Sequence, residues 1–208
     1  NFGMTPEDYA ESVGWLGEDV WHAHCVQLSE TAMQKFAQTG TGVTHCPCSN
    51  MRLASGIAPI RRMLDLGISV SIGVDGSASN DSGNLLQEVR MAFLLARVRE
   101  CKVDAMTARE ALEMATLGGA RVLGRDDIGS LEKGMAADFI AINLDRPQLA
   151  GALHDPVAAL VLCQVDRVDY SFIHGKKIVD QGQLTTVELE TLVEKTNHLA
   201  RKIVDAII

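Results

Sequence analysis

The chain has 208 residues, with 18 Gly, 5 Pro and 5 Cys, 47% hydrophobic and 22% charged residues, and a net charge of -8. That composition excludes a disordered or fibrous chain, and the acidic balance, with no basic stripe, argues against nucleic-acid or anionic-membrane partners. No apolar run reaches the ~18 to 20 residues of a membrane span, and an odd cysteine count without framework spacing points to a reducing, cytoplasmic setting.

The chain opens Asn1-Phe2-Gly3-Met4, with no basic region or apolar stretch of a signal peptide and no initiator Met, so a fragment or processed product is expected. The first third then repeats one unit, a short β-rich run ending in an ionisable residue, followed by a loop and a helical pattern. The runs are Asp19 to Val26, Gly42 to Cys46 and Ile68 to Asp75. Between them lie helical patterns at Glu30 to Gln38, stopped by Gly40, and at Ala58 to Leu66, stopped by Gly67. This alternation predicts parallel strands with right-handed crossovers, an α/β fold.

A polar loop from Ser77 to Asn84 precedes a helix predicted over Leu85 to Arg99, with apolar positions at Leu86, Val89, Phe93 and Ala96. Thr107 with Glu110 reads as a capping box opening a helix through Ala120. From Gly129 the texture changes to turns and strands, at Phe139 to Leu144, Val165 to His174 and Lys176 to Val179, with an antiparallel turn at His174-Gly175. Thr185 with Glu188 reads as a second capping box, opening a final amphipathic helix with apolar positions from Leu189 to Ile207. Cys25, Cys101 and Cys163 sit in apolar stretches and read as core thiols.

In parallel α/β folds the reactive groups stand at the C-terminal ends of the strands, and the three runs deliver His24, His45 and Asp75 there. Two imidazoles and a carboxylate can bind a divalent ion and manage a proton. Asp75 carries the most weight, because Val74-Asp75-Gly76 puts a carboxylate directly after an apolar strand and before a turn-permitting Gly. The loop Gly76 to Asn80 supplies donors for it, or forms a phosphate nest that Asp75 and Asp81 disfavour. His22 and His24 share one strand face, as two ligands or, preferably, as one packed and one functional imidazole. A structural zinc site at Cys46 and Cys48 is the weaker alternative, since no second cysteine pair completes it.

Ala23-His24-Cys25-Val26, His45-Cys46-Pro47-Cys48-Ser49-Asn50, Gly56-Ile57-Ala58-Pro59 and Gly73-Val74-Asp75-Gly76-Ser77-Ala78-Ser79-Asn80 resemble, in order and spacing, the C-terminal half of the amidohydrolase superfamily. The nearest branch is the purine and triazine aminohydrolases, and the run from His45 to Asp81 looks most like 8-oxoguanine deaminases. Gly129 to Gly134 with Ala137 to Ile140 is similar to the segment that leads from the barrel to a small β-sandwich. The resemblance implies an α/β fold comprising the C-terminal part of a (β/α)8 barrel over residues 1–128. It further implies part of a composite β-sandwich over 129–184 and a C-terminal helix over 185–208.

It also implies roles. Asp75 matches the strand-8 aspartate, a zinc ligand that takes a proton from the attacking water, His24 the strand-6 histidine that steers that water, and His45 a strand-7 position suited to substrate contact. The cofactor implied is one Zn2+ per active site, and the reaction is hydrolytic deamination of a purine-like heterocycle, with 8-oxoguanine preferred, releasing ammonia. Triazine hydrolysis of the hydroxyatrazine type is an alternative, and a catalytically silent structural half is an alternative of another class. A homo-oligomer is expected from the resemblance alone. The first-strand His-x-His, a further metal-binding His and the ring-protonating Glu of the family have no counterpart here. Three of the four zinc ligands are therefore expected to lie outside this chain.

Overall fold

A computed structural model describes residues 3–163 and 165–206, which fall into two compact units. The first comprises Asn1–Met135 with Asp145–Val165, the second Ala136–Leu144 with Asp166–Ile208.

The first unit is built on three parallel strands, β1 (Trp21–Ala23), β2 (Gly42–His45) and β3 (Val70–Ile72), in that order. Trp21 pairs with Gly42, and Val43 with Val70. Its helices are α1 (Pro6–Ser12), α2 (Glu30–Thr39), α3 (Pro47–Arg52), α4 (Ile60–Asp65), α5 (Leu85–Glu100), α6 (Ala108–Met114), α7 (Leu117–Val122) and α8 (Pro156–Leu162). α2 shows why the alternation is readable in the residues. Ser29 caps its first turn by accepting from Ala32 N, Ala32, Met33 and Phe36 turn inward, and left-handed Gly40 ends it. The core gathers Phe36, Val43, Met63, Val70, Val89 and Phe93 between strands and helices. Each such side chain contributes roughly 1.5–3 kcal/mol by leaving water.

The second unit is an antiparallel sheet of β4 (Phe139–Ala141), β5 (Tyr170–Ile173), β6 (Lys176–Asp180) and β7 (Gln183–Leu184), followed by α9 (Leu189–Asp205). His174 and Gly175, both left-handed, make the expected two-residue hairpin turn. Phe139 and Phe172 stack across β4 and β5 with ring centroids 4.6 Å apart. No residue of α9 is buried. Its expected apolar position Ile207 lies outside the described residues.

Several expectations are corrected. The helix expected from Thr107 through Ala120 does carry its capping box, but Thr116 breaks it and α7 starts anew. A Cβ on Gly118 would stand 2.3 Å from Val70 O, so α7 lies against β3 at a distance only glycine allows. The capping box at Thr185 and Glu188 does not form. Thr185 Oγ1 donates instead to the carbonyls of Lys177 and Ile178, which takes the hydroxyl for the sheet, and α9 starts at Leu189 without a side-chain cap. The strands are shorter than their apolar runs. Cys101 is no core thiol, being exposed at the left-handed end of α5. α1, α3, α8 and β7 were not anticipated.

Candidate active site

The parallel strands end at Ala23, His45 and Ile72, and the three expected ionisable residues stand at or just beyond those ends. Strand pairing carries His24 into place, because its N–H donates to Thr44 O across β1 and β2. The backbone then turns left-handed at both His24 (φ 67) and Cys25 (φ 48), a costly conformation for side chains of this size. His22 and His24 therefore do not share a strand face. His22 is the packed imidazole, its Nε2 donating to Trp15 O at 3.1 Å and its ring 5.1 Å from Phe36.

Asp75 differs from expectation in two respects. It lies three residues past β3 with its side chain 31% exposed, so it is not a buried strand-end carboxylate. The left-handed turn is its own (φ 63), while Gly76 has no positive φ and open space where a Cβ would stand. Its donors are side chains: Ser49 Oγ donates to Oδ2 at 2.5 Å and Ser79 Oγ at 2.7 Å. These bonds, led by Ser49, with a backbone bond from Gly76, hold the carboxyl down to about 2. The two serine hydroxyls both donate to Oδ2.

His24 Nε2 lies 3.7 Å from Asp75 Oδ2. On its other side Nδ1 lies 2.8 Å from Asn50 Oδ1. The amide oxygen accepts, so Nδ1 carries a proton and Nε2 is the ring nitrogen turned towards Asp75. His45 stands deeper, 1% exposed, with Nδ1 buried and without a hydrogen-bond partner. Burial, with His24 adding a repulsive charge, pulls its imidazole down to about 4, so it is neutral at pH 7. Asn50 Nδ2 is a second buried nitrogen without a partner.

The phosphate-nest alternative fails on backbone geometry. The N–H groups of Ser79 and Asn80 both turn inward to Gly76 O, and Asn80 Nδ2 donates to Val74 O. The thiols are equally occupied. Burial pushes Cys46 up to about 11, and burial with a hydrogen bond to Glu88 pushes Cys48 up to about 12. Among the described residues no group of three or more His, Cys, Asp or Glu side chains is placed to hold a metal ion. His24 and Asp75 offer two donors where zinc takes about four. The chain's own residues therefore do not complete a zinc site.

The expected donor loop after Asp75 contributes Ser79, whereas the parts played by Ser49 and Asn50, which lie within the quoted motifs, and by Glu88 go beyond the sequence reading. The signal for Glu88 was a carboxylate at a core-facing position of α5 beside Val89, and it is 0% exposed.

Residues 2–178 match the amidohydrolase family. An 8-oxoguanine deaminase of Pseudomonas aeruginosa is 41% identical over 203 residues, which cover 98% of this chain and 45% of that protein. Among solved structures, an atrazine chlorohydrolase from Arthrobacter aurescens complexed with zinc superposes with a TM-score of 0.90 at 39% identity, covering 95% of this chain and 44% of that one. An adenosine deaminase from Xanthomonas campestris with bound zinc gives a TM-score of 0.94 at 32% identity, covering 98% and 46%. The chain thus spans a little under half the length of these relatives.

Proposed function

Because the chain belongs to the amidohydrolase family, we propose that it is the part of a zinc-dependent aminohydrolase that supplies Asp75 and His24, acting on a purine-like ring with 8-oxoguanine preferred. In this reading residues 1–128 are the last three strands and helices of a (β/α)8 barrel. Residues 129–184 contribute part of a composite β-sandwich, apart from Asp145–Val165, which packs with the first unit, and 185–208 are the C-terminal helix. The remaining zinc ligands and the ring-protonating acid come from outside this chain, and the chain alone is catalytically silent. The enzyme is a cytoplasmic homo-oligomer.

The observation that carries the reading is the pairing of His24 with Asp75, each locked from behind by a side chain of α3, Asn50 and Ser49 respectively. His24, with its proton fixed on Asn50, offers Nε2 to accept a hydrogen bond from a water and orient it. Asp75 is anionic at any working pH and is the carboxylate that would hold a cation. A carboxylate held at about 2 is a weak base, so the cation-holding role is the one its surroundings support most directly. His45 enters the reading as a substrate contact from its strand-7 position alone, since it is neutral and only 1% exposed in this chain.

A triazine as substrate is the second reading, favoured by the TM-score of 0.90 to the atrazine chlorohydrolase. The full-length protein is to be assayed for ammonia from 8-oxoguanine, guanine and hydroxyatrazine and for chloride from atrazine, with zinc content measured in parallel. Asp75→Ala is expected to lose both turnover and zinc. A variant that keeps normal turnover overturns the assignment.

A further inference from the structure

Glu88 lies on α5, outside the cluster just described, and none of its surface is exposed. Burying a carboxylate is expensive unless donors compensate it, and here the donors come from α3 and from the loop after β3. Cys48 N donates to Oε2 at 3.0 Å, and Asn80 Nδ2 donates to Oε1 at 2.7 Å. Asn80 Nδ2 also donates to Val74 O at 2.8 Å.

These bonds close a ring. Val74 precedes Asp75, Cys48 precedes Ser49, and the Ser49 hydroxyl is bonded to Asp75 Oδ2. From Asp75 the path runs through Val74 O, Asn80, Glu88, Cys48 and Ser49 back to Asp75. α5 fixes the ring to the core, since Val89 and Phe93 beside Glu88 are buried in it. A carboxylate suits the position because both its oxygens meet donors. A glutamine would turn an amide N–H towards either Cys48 N–H or the Asn80 amide, leaving two donors face to face.

The geometry points to Glu88 as the positioning residue that holds α3 and the loop after β3 in register, and so fixes Asp75 against Ser49 and His24. As a role in catalysis it rests on the aminohydrolase reading. As a link between α3 and that loop it does not.

The test is amide hydrogen exchange on the full-length zinc-loaded protein, with turnover measured on the same samples. Glu88→Gln is expected to speed exchange over residues 46–50 and 73–80 by about tenfold or more while the strands stay protected. It is expected to lower kcat per bound zinc by about tenfold or more, with KM within about threefold. Asn80→Ala cuts one link and leaves Glu88 bonded to Cys48. It is expected to release 73–80 alone, and it serves if Glu88→Gln fails to fold. Unchanged exchange in both segments, or released segments with undiminished kcat per zinc, overturns the proposal. If the parent protein turns over no heterocycle while the variants release the segments, the aminohydrolase reading falls and the Glu88 link stands.

Discussion

Ser49 Oγ and Asp75 Oδ2 stand 2.5 Å apart, joining α3 to the loop after β3. A hydrogen bond donated to the charged form lowers a carboxyl pKa, and Ser49 is the largest of the causes acting on Asp75. Ser49→Ala is expected to move the Asp75 titration up from about 2 towards the ordinary 3.8. Carboxyl-carbon NMR through an acid titration reads this directly. The contribution of the bond is present above pH 3.8 and is lost as pH falls through about 2.

Asn50 sets the tautomer of His24 by accepting from Nδ1 at 2.8 Å. Removing a partner of this kind generally costs about 10–100-fold in activity. Asn50→Ala in the full-length protein is expected to lower kcat by that order, while nitrogen NMR of His24 changes from one Nδ1–H form to a mixture of tautomers. Unaltered ring nitrogen shifts would show that the amide does not hold the ring.

His45 gives a stability window. Its imidazole is neutral in the fold down to about pH 4 but takes a proton near 6.5 when unfolded, so the unfolded state binds more protons between those values. Stability therefore falls on acidification from pH 6.5 to 4, by an amount on the order of 3 kcal/mol. Urea unfolding at a series of pH values is expected to show this slope, and His45→Gln is expected to flatten it.

Gly118→Ala reverses the usual helix rule. Alanine in a helix interior normally gains about 1 kcal/mol over glycine, but here the new Cβ would stand 2.3 Å from a β3 backbone carbonyl. A loss of about 1–3 kcal/mol from overpacking is expected instead, read as a lowered Tm. Gly119→Ala, next to it and with open space for a Cβ, is expected to leave Tm unchanged or raise it.

Cys101 is exposed and left-handed, with φ 51 at the end of α5. Glycine takes that backbone without the penalty of a Cβ, so Cys101→Gly is expected to stabilise by about 0.5–1 kcal/mol. Thermal unfolding decides it.

Much of this arrangement was legible in the residues. Ser29 and Gly40 mark α2 at both ends, and His24, His45 and Asp75 announce themselves as ionisable groups closing apolar runs. What was not legible depends on contacts distant in sequence. α3 hides because Pro47 at its first turn also reads as a turn signal, and six residues show little periodicity. The Thr185 hydroxyl was assigned to a helix on local spacing, yet two β6 carbonyls claim it. Ser79, four residues from Asp75, and Ser49, 26 residues from it, reach the same oxygen only because α3 meets the loop after β3. Glu88 looked like any charged helix residue, although its place beside Val89 on the inward face was a warning.

His24, Cys25 and Asp75 share the backbone class that makes Cys101 improvable, all at positive φ without being glycine. Any campaign to raise the heat tolerance of this protein by placing glycine at left-handed positions would score all four sites alike. At 101 the exchange removes only an exposed thiol. At 24 and 75 it would delete the imidazole and the carboxylate, so two of the left-handed positions that glycine would relax carry groups a stabilised enzyme would still need.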